Sequence, residues 1–304
     1  MTKPMIEVRN FRKEYGEHTA VDNISFTVYR SEIFGLLGPN GAGKTSTLEA
    51  LEGLRSADGG SLSVAGIDPV NEPRKLRQVI GVQLQSGGLP ASITADEAMK
   101  LFCAYHGVAP RFDLLQRLGL EEKRRVEFQK LSTGQQRRLA LALAVAHEPP
   151  VIFLDEPTAG LDVASRVELH NLMRELKSKG TTIMLATHDM AEAEEMSDRV
   201  AILLQGKLVA VDTPMAITAT GAGLTKVSVN TRSGFLLTNN RTFPAVSQQR
   251  VKEPYAVYFS TNIGQTVAAL INTVEAEEDT LLDLRVERPS LEDRFLELTN
   301  GGFR

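Results

Sequence analysis

Gly38-Pro39-Asn40-Gly41-Ala42-Gly43-Lys44-Thr45 separates the apolar run Ile33-Phe34-Gly35-Leu36-Leu37 from a stretch with helical patterning over 44–54. Strand, glycine-rich loop and helix in that order make a phosphate-binding unit. The glycines let backbone N–H groups converge on phosphate oxygens without obstruction by Cβ, and the helix N-terminus adds partial positive charge. In this unit Lys44 is placed to reach β- and γ-phosphates, and Thr45 to ligate Mg²⁺. At an average glycine usage of about 7%, an accidental match is expected in on the order of one chain in a hundred of this length. The flanking strand and helix lower that rate further.

Downstream, Val151-Ile152-Phe153-Leu154 and Thr182-Ile183-Met184-Leu185-Ala186 are continuously apolar, the pattern of parallel strands covered on both faces. The first runs into Asp155-Glu156, two charges that are costly beside a buried strand unless they are used or paired. Such a pair gives Asp155 to the metal and Glu156 to the attacking water as base or orienter. The second runs into Thr187-His188, at the carboxyl end of a parallel strand, where ligands collect. His18, His106, His147 and His170 lie scattered without ligand spacing, so no zinc site is expected.

Between these landmarks, Thr94 and Glu97 have capping-box spacing ahead of a helix that runs to Tyr105, with Gly107 as its stop. The region 86–148 reads as mainly helical and ends at Glu148-Pro149-Pro150, which forbids continuation. A helix follows over 165–179, then strands over 200–204 and 208–211. Thr213-Pro214 and Gly221-Ala222-Gly223 mark a linker at 221–224. The remainder restarts with strands at 226–230, 256–260 and 281–286 and helices at 265–274 and 291–298, enough for an accessory domain over 225–304.

Composition narrows the function classes. The 304 residues carry 34 basic and 38 acidic side chains, a net charge of −4, which argues against a sequence-independent nucleic-acid binder. Cys103 is the only cysteine, so no intrachain disulfide is available and a reducing compartment fits best. Proline and charge break the first nine residues before any apolar signal core forms. The longest purely apolar run, 139–146, is far short of the roughly twenty residues that cross a bilayer. Any spanning segment must therefore come from another chain.

Leu131-Ser132-Thr133-Gly134-Gln135-Gln136-Arg137, ahead of the apolar helix 138–147, resembles the signature motif of ATP-binding cassette proteins, with Thr133 where that family usually has glycine. The other cassette elements are present in order over about 5–215. They are Tyr15 as the aromatic that stacks on adenine, Gln85 in the Q-loop with Gln83 as its competitor, Asp155-Glu156, Ala159-Gly160-Leu161-Asp162 as the D-loop, and Thr187-His188. Arg288-Pro289-Ser290-Leu291-Glu292-Asp293-Arg294-Phe295-Leu296-Glu297-Leu298 is similar to the C-terminal segment of ATPases from daunorubicin-type drug-resistance exporters. Read locally, it is a helix capped by Ser290 with Asp293 completing a box.

The resemblance implies an α/β fold: a P-loop NTPase cassette over 1–220, with a mostly parallel sheet core, an antiparallel β subdomain and a helical subdomain at about 86–148, plus a small α+β accessory domain. It implies ATP and Mg²⁺ as cofactors. Catalysis falls to Glu156, His188, Lys44 and Gln85, and the metal to Thr45, Gln85 and Asp155. Nucleotide contacts fall to Tyr15, Gly38, Pro39, Asn40, Gly41, Ala42, Gly43, Lys44, Thr45 and Ser46 of one subunit, with Ser132, Gly134, Gln135 and Asp162 also at the site. Ser132 and Gly134 come from the opposed subunit of a head-to-tail pair. The implied partners are a second copy or a homologue and an integral-membrane permease docked after Gln85, with no nucleic acid, at the cytoplasmic face of the cell membrane. The expected function is to power export of a drug-like or lipid-like compound. An importer ATPase remains open, as does a soluble cassette protein acting on ribosomes or DNA, though those relatives usually carry two cassettes or long coiled-coil insertions. A nucleotide-binding regulator without turnover is disfavoured by Lys44, Asp155 and Glu156.

Overall fold

The apolar runs flanking the phosphate loop become central strands of a parallel sheet in the computed structural model, which describes residues 3–83, 88–219, 224–238 and 241–300. In chain order the elements are β1 (Ile6–Tyr15), β2 (His18–Val28), β3 (Ile33–Leu37), α1 (Lys44–Leu51), β4 (Gly59–Val64), α2 (Pro73–Val79), β5 (Ile80–Gln83), α3 (Ala95–Tyr105), α4 (Phe112–Arg117), α5 (Thr133–Val145), β6 (Val151–Asp155), α6 (Val163–Ser178), β7 (Thr182–Thr187), α7 (Met190–Met196), β8 (Arg199–Leu204) and β9 (Lys207–Asp212). Then follow α8 (Pro214–Ala219), β10 (Thr225–Thr231), α9 (Phe235–Thr238), β11 (Val246–Lys252), β12 (Tyr255–Ser260), α10 (Ile263–Ala276), β13 (Leu281–Glu287) and α11 (Leu291–Asn300). Two compact units result, Met1–Pro214 and Met215–Arg304. Of the linker expected at 221–224, only Leu224 falls among the described residues.

In the first unit the main sheet has the order β5-β6-β7-β3-β8-β9, parallel except for β9. Every residue of β3, β6 and β7 is buried, as their unbroken apolarity requires. Alternate side chains serve two cores. Ile33, Ile152, Leu154, Ile183 and Leu185 join Met99, Leu139 and Leu172 from the helices on one face. Phe34, Leu36, Phe153, Met184 and Ala186 join Leu48 of α1 and Val8, Phe11 and Ile24 of the antiparallel sheet β2-β1-β4 on the other. Because β6, β7 and β3 are neighbours, the loops leaving their carboxyl ends share one edge. That edge collects the phosphate loop, Asp155-Glu156 and Thr187-His188.

Several elements differ from their expected extents. β1 and β2 run well beyond 6–8 and 24–28, since their outer residues alternate charged with buried positions and meet in a hairpin at Tyr15↔His18. α1 stops at Leu51 rather than 54. Glu52 caps it, Gly53 turns left-handed at φ 72°, and the Leu54 amide reaches back to the Glu49 carbonyl, a Schellman closure. α5 begins at Thr133, five residues before the expected start at 138, because Ser132 and Gln135 form a reciprocal capping box that starts the helix. At Gly81 of β5 an added Cβ would lie 2.0 Å from the Ala144 carbonyl oxygen of α5. Gly81→Ala should therefore destabilise the first unit by about 3 kcal/mol or more, read as a lowered urea midpoint.

The second unit pairs β11-β12-β10-β13 into one antiparallel sheet. With its helices the order is β10-α9-β11-β12-α10-β13, the split βαβ arrangement of ferredoxin-like domains. Val227, Val229, Ala256 and Tyr258 pack on Leu270 and Val274 of α10. β11 was not legible in the sequence because it is an edge strand whose Ser247-Gln248-Gln249-Arg250 is exposed and polar. At α11, Ser290 Oγ accepts the Asp293 amide at 3.1 Å and donates to Asp293 Oδ2 at 2.8 Å, as the local reading anticipated.

Candidate nucleotide site

The loop between β3 and α1 is shaped by close backbone approach. Gly43 caps α1 at φ 103°, and a Cβ there would sit 2.6 Å from the Ala20 carbonyl oxygen. Lys44 folds back over the loop, donating from Nζ to the carbonyls of Gly38 at 2.7 Å and Pro39 at 3.2 Å, with Glu156 Oε1 at 3.9 Å. Burial lowers the Lys44 pKa, while Glu156 and Asp155 oppose the shift. A cation held this way carries little hydration and is primed for an anion.

Thr45 Oγ1 donates to Asp155 Oδ2 at 3.2 Å. Burial raises the Asp155 pKa against that hydrogen bond. A hydroxyl and a desolvated carboxylate converging beside a phosphate loop are the hard oxygen donors that Mg²⁺ prefers, so the residues fit that ion. Glu156 follows with φ 50°, held there by its backbone N–H, which donates to the Ala186 carbonyl of β7 at 2.9 Å. A non-glycine residue in this region is strained, and the turn aims its carboxylate at the loop. Glu156 Oε2 lies 2.7 Å from His188 Nδ1. The His188 loop is itself fixed: Thr187 Oγ1 accepts the Asp189 amide at 3.0 Å and donates to buried Glu192 at 2.9 Å.

These groups border a cleft of about 420 Å³ lined by residues 40–46, Tyr15, His18, Ala20, Asp155 and Glu156. Tyr15 is 40% exposed, donates its hydroxyl to Ser46 Oγ at 3.3 Å, and has Lys13 and Arg55 over its ring at 5.5 and 5.4 Å. His18 and Ala20 were not anticipated. They enter the cleft because the hairpin register sets His18 opposite Tyr15. The other expected residues do not line it. Ser132 and Gln135 cap α5, Gly134 packs near Gly160 and Leu161, and Asp162 caps α6 by accepting the Ser165 amide at 2.8 Å. Gln85 lies outside the described residues, while Gln83 is buried at the end of β5. Arg137 of α5 donates to the Ala159 carbonyl, tying the signature helix to the loop after Glu156.

A second concavity of about 600 Å³ is largely apolar, lined by Ile80, Val82, Leu101, Phe102, Tyr105 and Leu143 among others. Its wall includes Glu52, whose pKa burial pushes up from 4.5 to about 8, with Asp155 and Glu49 adding to the rise. Between those values the folded chain keeps a proton that the unfolded chain releases. The stability tied to this group is thus full below pH 4.5 and is lost as pH rises through 8, at up to about 1.4 kcal/mol per pH unit. Glu52→Gln should flatten this slope and leave the variant more stable than the parent at pH 8 by about 1 kcal/mol or more, measured by urea unfolding at pH 6 and 8.

The family model described as ABC transporter matches residues 21–159. The Nod factor export ATP-binding protein I of Ralstonia nicotianae is 35% identical over 99% of this chain and 95% of its own length. The daunorubicin resistance ATP-binding protein DrrA2 of Streptomyces coeruleorubidus is 33% identical over 97% of this chain and 94% of its own. A dimeric ATP-binding cassette in a post-hydrolysis state, bound to ADP and Pi, superposes with a TM-score of 0.64 at 26% identity, covering 69% of this chain and 98% of that one.

Proposed function

Because this chain belongs to the ABC transporter ATP-binding proteins, we propose that it works as one half of a head-to-tail pair driving an exporter whose permease is a separate integral-membrane chain. It is the ATP-hydrolysing subunit of an exporter-type transporter. The reading of its cargo as a drug-like or lipid-like compound is supported by relatives named for drug resistance and Nod factor export. On this reading the permease holds the chain at the cytoplasmic face of the membrane; among the described residues no helix is long and apolar enough to cross a membrane.

Lys44 and the amides of residues 40–46 would hold the triphosphate, and Tyr15 would take the adenine. Thr45 and Asp155 would hold Mg²⁺, which supplies charge neutralisation at the phosphates. Glu156, steadied by His188, orients and deprotonates the attacking water. One observation carries the paired arrangement: the cleft gathers Lys44, Thr45, Asp155 and Glu156, while Ser132 and Gly134 of the same chain stand elsewhere. Those donors are then supplied by the opposite subunit. The permease docks on the apolar groove beside α3, reached from the region after Gln85.

The pairing predicts complementation. Lys44→Ala and Ser132→Ala chains should each lose about 10³-fold in turnover, Ser132 acting as a donor in trans to the transferring phosphate. Mixed, they form pairs with one intact site, and steady-state phosphate release should return. No recovery on mixing would remove the self-paired site.

A further inference from the structure

The apolar groove carries acceptors that this chain leaves unused. Glu52 caps α1 and is 5% exposed, yet among the described residues its Oε2 finds no hydrogen-bond donor. On the same wall His106 and His147 stack with centroids 3.6 Å apart and planes within 8°. Both Nδ1 atoms are buried without a partner among the described residues. His147 Nε2 lies 3.2 Å from the Ile80 carbonyl, and burial lowers the His147 pKa to about 4, so the neutral ring donates there and keeps a bare lone pair at Nδ1. Arg77 also lines the groove but gives no donor to Glu52 Oε2. Glu49, the nearest other carboxylate on α1, is paired with Arg55.

A buried acceptor without a donor is a standing cost that an incoming donor removes. Outside these atoms the surroundings are apolar: Leu101, Phe102 and Tyr105 share an exposed face of α3. The matching surface is therefore an apolar stripe with one multi-donor cation. Resting on the reading that a permease docks here, we propose that its docking segment presents one arginine or lysine, and that Glu52 receives that side chain in the groove. Glu52 would then set which permease this ATPase accepts.

The test uses the full chain co-expressed with its cognate permease, reading the amount of ATPase recovered with washed membranes. Phe102→Asp tests docking itself, and Glu52→Gln tests the acceptor, with urea unfolding showing that the latter is folded. Phe102→Asp should lower the apparent affinity by setting a carboxylate in the apolar contact, and Glu52→Gln by about thirtyfold or more, because the amide cannot release a proton to solvent and ionise against the incoming cation as the Glu52 carboxyl does. Replacing one basic residue of the permease's cytoplasmic segments by Met should reproduce the Glu52→Gln loss and add nothing in combination. If Phe102→Asp leaves recovery unchanged, the docking reading falls. If Phe102→Asp abolishes recovery while Glu52→Gln does not, or no basic residue of the permease couples to Glu52, docking stands and the cation is refuted.

Discussion

Glu156→Gln is expected to bind ATP as tightly as the parent while losing about 10²- to 10⁴-fold in turnover, the range for removing a general base. The amide is nearly isosteric and can still meet His188, 2.7 Å from the carboxylate, so the strained turn at φ 50° should survive. What disappears is the proton acceptor. Each pair then stalls with nucleotide bound, and the variant should accumulate as a closed dimer in ATP, visible by size-exclusion chromatography with light scattering. Phosphate release at the parental rate would mean that Glu156 is not the group that activates water.

Lys44→Ala should weaken ATP binding by about 10- to 100-fold, alongside its loss of about 10³-fold in turnover. Hydrogen bonds to charged groups contribute about 1.5–3 kcal/mol each, and the side chain is 94% buried at the floor of the loop, where screening by water is weak. Two effects reinforce the loss. The phosphate loses its cation, and the carbonyls of Gly38 and Pro39 lose their donor. Titration with a fluorescent ATP analogue measures the first effect directly, and unchanged affinity would show that the loop amides bind the phosphates without the lysine.

The parts of the site that were legible in the sequence are those made by local chain order. The phosphate loop needs glycines, a lysine and a following helix in fixed succession, and Asp155-Glu156 sits at the end of a strand that its own apolarity announces. The parallel strands β3, β6 and β7 were legible for the same reason. Pairing across the fold was not legible. His18 reaches the cleft only through hairpin register, Gly81 matters only because α5 crosses β5 in backbone contact, and Glu52 reads as an ordinary helix-end glutamate until the packing removes water from it. β11 escaped because an exposed edge strand need not be apolar.

The capping box at the start of α5 has a consequence for how two chains close. Ser132 Oγ accepts the Gln135 amide at 3.3 Å, and Gln135 answers by accepting the Ser132 amide at 2.9 Å. This leaves the serine's own hydroxyl hydrogen, and the Thr133 and Gly134 amides of the first turn, without an intrahelical acceptor. The motif is thus already folded, and on the paired reading it meets the opposite subunit's phosphate in that form. Like a socket cast ahead of its plug, it can engage as a stiff body, so the speed of closure would be governed by how often the two halves collide in register rather than by any local ordering.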